Sequence, residues 1–176
     1  TQGVSSAASD VYKRQSLFGT LIDELTTAGY EHYEISNFCL PGLHSRHNSS
    51  YWTEKQYLGC GPSAHSYNGI SRQWNVASLD KYIEGISSGN PTFEVEELDL
   101  YTRYNDFVIT HIRTQWGMPL PKLGKQYGEE LYKYCLRMAT PYLQQGTLEI
   151  KNDTLKLTRK GVFISDGIMS DMLWVE

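Results

Sequence analysis

The chain has 176 residues, 40% of them hydrophobic, and a formal charge of −4 spread along its length. That size and balance suit one or two modest cores of a globular protein, and the dispersed charge argues against a generic nucleic-acid binder, which would present a basic face. No apolar run approaches the length that crosses a bilayer, so the expected setting is the cytoplasm, without a transmembrane segment.

Residues 1–15 lack hydrophobic periodicity, open on Thr1 and resemble neither a secretion signal nor a transit peptide. They are read as a disordered or foreign leader. Ser16 is a candidate N-cap for a helix in which Phe18, Leu21, Ile22 and Leu25 recur at helical spacing, with Gly29 as its stop. Tyr30 to Phe38 alternates and is rich in aromatic residues, the pattern of a strand. A helix joined so closely to a strand reads as the closing half of a β/α unit from a parallel sheet.

From Cys39 to Asn75 the chain mixes Gly, Ser, Asn and Pro with His, Tyr and Trp, a loop region suited to function, with a short strand expected in Tyr57–Gly61. Ser78 caps an expected helix carrying Leu79, Tyr82, Ile83 and Ile86, which ends before Gly89-Asn90-Pro91. A boundary then separates residues 16–92 from residues 93–176. In the second unit Leu100, Tyr104, Phe107, Val108 and Ile112 mark a helix, Gly117 breaks it, and Leu120–Tyr127 forms a second. A third, from Gly128 to about Leu143, carries Leu131, Tyr134, Cys135 and Met138 on one face, with Pro141 set to end or bend it. Leu148, Ile150, Leu155 and Leu157 alternate about an Asn152-Asp153 turn, the mark of a hairpin. A final helix over Arg159–Leu173 presents Phe163, Ile168, Met169 and Met172. The fold class expected is α/β followed by a mainly helical, winged-helix-like domain.

Two segments carry candidate chemistry. His47-Asn48-Ser49-Ser50-Tyr51-Trp52 gathers an imidazole, an amide, a phenol and an indole, groups that bind an iron axially and cover a flat macrocycle, although a surface His beside a core Trp fits the same residues. Gly59-Cys60-Gly61-Pro62-Ser63-Ala64-His65-Ser66 is a run of small residues in which backbone N–H groups can approach a ligand, or which forms a tight turn under Tyr67 and Trp74. It is neither a dinucleotide fingerprint nor a phosphate loop. Cys39, His44, His47 and Cys60 lack the close spacing of zinc knuckles, so zinc is not expected, and the three cysteines are expected to be small buried residues. Asp23, Glu24, Glu31 and Glu34 are expected to be solvated. No catalytic residue is assigned in this chain.

The ordered series Ala28–Phe38, Pro41-Gly42, His47-Asn48, Tyr51-Trp52 and Tyr57–Ser66, with Leu157–Gly161 and Ser165-Asp166 later, resembles the radical S-adenosylmethionine family of oxygen-independent coproporphyrinogen III oxidases and haem chaperones. The resemblance runs from about Ser16 to the end. It implies the tail of a partial (β/α) barrel followed by the family's accessory domain. It also implies haem binding at His47, Asn48, Tyr51 and Trp52, with His47 as the iron ligand, and a border to S-adenosylmethionine at Gly59, Gly61, Ala64 and His65. The activity implied is acceptance of haem or a porphyrin and its transfer to an acceptor protein; the alternative is oxidative decarboxylation of coproporphyrinogen III. The family's C-x3-C-x2-C triplet, which holds a [4Fe–4S] cluster, is absent from these 176 residues, so cluster and radical chemistry are expected of a longer parent protein and not of this chain alone.

Overall fold

The computed structural model describes residues 2–175. Helix α1 spans Gln2–Thr27 and continues through most of the stretch read as a disordered leader, whose first residue, Thr1, lies outside the described residues. Ser16 is therefore no cap: it stands inside the helix, where its carbonyl accepts from the Thr20 hydroxyl. The stop at Gly29 is as expected. Gly29 takes φ +88°, and Tyr30 N donates to Leu25 O at 3.0 Å, closing a left-handed glycine cap. Of the four apolar positions only Ile22 is buried, whereas Leu21 is exposed. The Phe18 ring meets His32 and Phe163 edge-on, and Arg159 pairs with Asp23.

Tyr30–Phe38 is not one strand. It folds into a hairpin of β1 (Glu31–Glu34) and β2 (Asn37–Cys39), antiparallel with Glu31 opposite Cys39. Ile35-Ser36 turns because the Glu34 carboxylate captures the Ser36 amide and hydroxyl, an Asx-like local bond that competes with an extended backbone. Among the described residues every strand pair is antiparallel, so the parallel partner implied by a β/α unit is not present.

Helix α2 (Arg46–Trp52) replaces the expected loop. Strands β3 (His65–Tyr67), β4 (Ser71–Asn75) and β5 (Phe93–Glu97) form a sheet in that order, with α3 (Leu79–Ser87) between the last two and Ser78 capping it as expected. β5 was not anticipated. Its five pairings with β4 carry the first unit's sheet past the boundary placed at residue 92.

The second unit follows the expected plan closely. Helix α4 (Leu100–Ile112) leads through the two-residue strand β6 (Met118–Pro119) into α5 (Leu120–Gln144), which breaks at Gly128 (φ +83°) into the two helices foreseen, and Pro141 sits one turn before its end. The hairpin is β7 (Leu148–Lys151) and β8 (Thr154–Leu157), turning on Asn152 and Asp153, both at positive φ. Leu148 pairs with Leu157 and Ile150 with Leu155; Ile150 is nevertheless 45% exposed, being near the tip. β8 is central, flanked by β6 and β7. The last helix is broken into α6 (Arg159–Val162) and α7 (Ser165–Met172). Phe163, at that break, packs on Phe18 of α1 and does not join the core reached by Ile168, Met169 and Met172.

That core gathers Tyr104, Phe107, Val108, Ile112, Leu131, Cys135 and Leu155 about α4, α5 and the hairpin. A fully buried Phe107 or Leu155 side chain contributes about 1.5–3 kcal/mol relative to exposure. The buried Tyr104 hydroxyl donates to Met172 O, and the half-buried Tyr134 hydroxyl donates to Leu173 O. The two units are joined by backbone bonds from Ile35 N to Arg113 O and from Gln115 N to Tyr33 O.

Candidate functional site

Ser45 caps α2 by accepting from Asn48 N, which starts the helix directly before His47. Residues four apart share a helix face, so the motif divides into two pairs. His47 and Tyr51 lie on the exposed face, with the Tyr51 hydroxyl 3.2 Å from His47 Nε2 and the rings edge-to-face at 5.1 Å. Asn48 and Trp52 turn inward and are half-buried. The Arg113 guanidinium lies 4.7 Å from the Trp52 ring centroid, a cation–π contact, and the indole Nε1 is buried without a partner. His47 and Tyr51 can reach an external ligand, whereas Trp52 is placed as an anchor.

Arg113 also donates from Nε to Glu34 Oε1 at 2.6 Å. Glu34, expected to be solvated, is only 2% exposed. Burial pushes its carboxyl up, but the bonds from Asn37, Arg113 and Ser36 together with the Arg113 charge outweigh that and hold it below the ordinary carboxylate value. A chain of contacts therefore runs from the hairpin through Arg113 to the inner face of α2.

The outer face of α2 borders a cavity of about 120 Å³ lined by Tyr51, Tyr57, Tyr67, Arg72, Asp106 and Phe107, with Lys55 and Arg103 also at its wall. Tyr51 meets Tyr57 edge-on at 4.9 Å, and Tyr57 and Tyr67 exchange a pair of backbone bonds. The short strand expected in Tyr57–Gly61 is reduced to this single bridge. Burial raises the pKa of both Tyr57 and Tyr67, so they remain neutral phenols. Arg72 on β4 pairs with Asp106 on α4; burial nonetheless raises the Asp106 carboxyl against the pull of that charge. Arg72, Arg103 and Asp106 carry no signal in the sequence, because they come together only when β4 packs on α4 and no local spacing marks that contact.

In the glycine-rich run, the structure favours the tight turn. A Cβ on Gly59 would collide with the His65 backbone, and Gly61 takes φ +112°. Their amides are already used: Gly59 N donates to Ser66 Oγ and Gly61 N to the Tyr82 hydroxyl, while Asn75 Nδ2 donates to both carbonyls. The glycines shape the turn and offer no free donors. Ala64 and His65 emerge from it, and His65 stands 5.8 Å from Trp74 across the sheet, beside a depression that Ser63 and Phe93 also line.

Cys60 is exposed, contrary to expectation, whereas Cys39 and Cys135 are buried. Burial pushes the Cys135 thiol up to about 12, and it belongs to the second unit's core. The three sulfurs therefore occupy separate environments that do not fit a shared iron–sulfur cluster. Cys39, however, lies with Glu31 and His44, their ligand atoms within 4.8 Å of one another, while His47 and Cys60 are not part of that group. No described helix is long and apolar enough to cross a membrane.

Comparison with known proteins agrees with this architecture. The HemN C-terminal domain model matches residues 98–164. The chain is 34% identical over 155 residues to the heme chaperone HemW of Mycobacterium tuberculosis, an alignment covering 87% of this chain and 38% of that protein. It is 25% identical over 158 residues to heme chaperone HemW of Bacillus subtilis, covering 89% and 42%. Coproporphyrinogen III oxidase HemN of Escherichia coli, described as a radical SAM enzyme, has the same fold over 88% of this chain and 39% of its own, with TM-score 0.67 and 17% identity. The chain thus spans about two fifths of the length of these relatives, and its α/β unit followed by a winged-helix-like domain corresponds in fold to part of HemN. The chain is similar in sequence to HemW heme chaperones over most of its own length, residues 98–164 match the HemN C-terminal domain, and its fold is that of the corresponding part of HemN.

Proposed function

We propose that the chain is the haem-binding part of a haem chaperone, with His47 as the axial iron ligand. The observation that carries this reading is the presentation of His47 beside Tyr51 on the outer face of α2, where Tyr51 also lines the tyrosine-rich cavity whose wall carries Lys55, Arg72 and Arg103 together with Glu54 and Asp106. Imidazole ligates haem iron, phenol rings cover a porphyrin face, and cationic side chains receive the propionates. The cavity is smaller than the macrocycle, so haem lies across its mouth with its edge toward the cations. Trp52 and Asn48 hold the helix in place from the inner side. The HemW relatives, named heme chaperones, support the same reading.

The function of the parent protein is to accept haem here and release it to an acceptor protein. In that longer protein Ala64 and His65 border S-adenosylmethionine, Gly59 and Gly61 fix the turn that presents them, and the [4Fe–4S] cluster is held outside these residues. A cytoplasmic setting accords with this role. The oxidase alternative rests in this chain on the fold shared with HemN and the HemN C-terminal domain match at residues 98–164.

The test is a titration of the purified chain with haemin, followed by Soret absorption. A saturable spectrum of one haem per chain supports the reading. Absence of saturable binding, in the chain and in its longer parent alike, overturns it.

A further inference from the structure

We propose that Glu31, Cys39 and His44 form a binding site for a thiophilic divalent cation, of which zinc is the best fit. The site is separate from the haem motif.

The hairpin brings the first two ligands together. Glu31 and Cys39 are directly paired across β1 and β2, so their side chains leave the same face of the ribbon. The third returns through a turn at residues 40–43, in which Leu43 N donates to Leu40 O and Gly42 takes φ +76°. That turn sets His44 Nε2 2.9 Å from Glu31 Oε2. The imidazole is fixed from two further sides, edge-on to Tyr33 at 5.0 Å and 5.4 Å from Trp116. Gln115 approaches the same nitrogen at 3.5 Å.

One sulfur, one imidazole nitrogen and one carboxylate oxygen make a mixed set suited to zinc, which accepts all three donor types. With metal–donor lengths of about 2.0–2.3 Å, tetrahedral donors stand roughly 3.3–3.6 Å apart. The three atoms here lie between 2.9 Å and 4.8 Å from one another, so small side-chain rotations close the site. Cys39 is 8% exposed and sits at the floor, while the His44 and Glu31 side chains are 26% and 36% exposed and leave a way in from solvent. Three protein ligands keep a fourth position for water.

The pattern was invisible in the sequence because Cys39 and His44 are not spaced as a knuckle and Glu31 lies on the other strand. Their convergence depends on the hairpin, which the sequence pattern presents as a single strand.

The experiment is a titration of the reduced, metal-free chain with cobalt(II), a spectroscopic substitute for zinc. Expected are one cobalt per chain, a sulfur-to-cobalt charge-transfer band in the near ultraviolet, visible bands of a tetrahedral ion, and displacement by zinc. Cys39→Ser should abolish the charge-transfer band, His44→Ala and Glu31→Gln should each weaken binding at least tenfold, and Cys60→Ser should change nothing. His44 and Glu31 are partly exposed, so their variants report on ligation even where Cys39→Ser disturbs folding. Absence of the band in the parent chain, its survival in Cys39→Ser, or its loss in Cys60→Ser overturns the proposal.

Discussion

Arg113, which follows α4, reaches across to the first unit and donates from Nε to the buried Glu34 on β1 at 2.6 Å, while its guanidinium covers Trp52. One side chain thus ties the hairpin, the second unit and α2 together. The ion pair matters because one partner is fully buried: the Glu34 side chain is 0% exposed and Arg113 28%.

Removing the cation leaves a buried carboxylate with only local partners. Arg113→Met should destabilise the chain by about 3 kcal/mol, in the range measured when one partner of a buried pair is deleted. Urea unfolding followed by circular dichroism gives the value, and a loss under 1 kcal/mol would show the contact to be incidental.

Acid should weaken the fold in two stages. Burial and the neighbouring Lys122 charge hold the His111 imidazolium below its ordinary value of 6.5. The unfolded chain therefore takes up that proton first, and stability falls once pH drops below 6.5. The Glu34 carboxyl is held below 4.5, so its contribution is fully present above 4.5 and is lost as pH falls through the folded value. Asp106 opposes this slightly, since its raised carboxyl is more easily neutralised in the folded state. Urea midpoints between about pH 2 and 8 should show the upper stage vanish in His111→Gln while the lower remains.

The two glycines of the small-residue run should differ in sensitivity. Gly59→Ala places a methyl against the His65 backbone, while Gly61→Ala is strained only by its positive φ. The second should cost about 1–3 kcal/mol, and the first more, because backbone atoms cannot yield as a flexible side chain does. Thermal unfolding of the two variants orders them, and equal melting temperatures would contradict the geometry.

Tyr51→Phe separates the ring from its hydroxyl. That hydroxyl engages His47 Nε2, the nitrogen that must be free to bind iron. Losing one hydrogen bond of about 1 kcal/mol should tighten haem binding roughly fivefold. Weaker binding would instead show that the hydroxyl assists haem.

The second unit was legible because its periodicities are local. The Leu148, Ile150, Leu155 and Leu157 alternation and the stop at Gly128 state their own structure. The first unit misled where a polar side chain decided the backbone: Glu34 turns Ile35-Ser36 and makes two strands from one apparent strand. Ser45 was an available signal for α2, since a serine before His47 is a helix cap. Arg72, Arg103 and Arg113 had none, because each finds its place only through long-range packing. Leu79, Ile83 and Ile86 show a related limit. Their spacing marked α3 correctly, yet they are more than half exposed, so periodicity located the helix without saying what covers it.

Replacing His47 and restoring the lost ligand with free imidazole tests haem ligation most directly. Haemin is titrated into the chain and into His47→Ala, with and without added imidazole. The expected result is a ligated Soret spectrum in the parent chain, its loss in the variant, and its recovery when imidazole occupies the vacated position beside Tyr51. If His47→Ala binds haemin with unchanged affinity and spectrum, His47 is not the iron ligand and the proposed site is wrong.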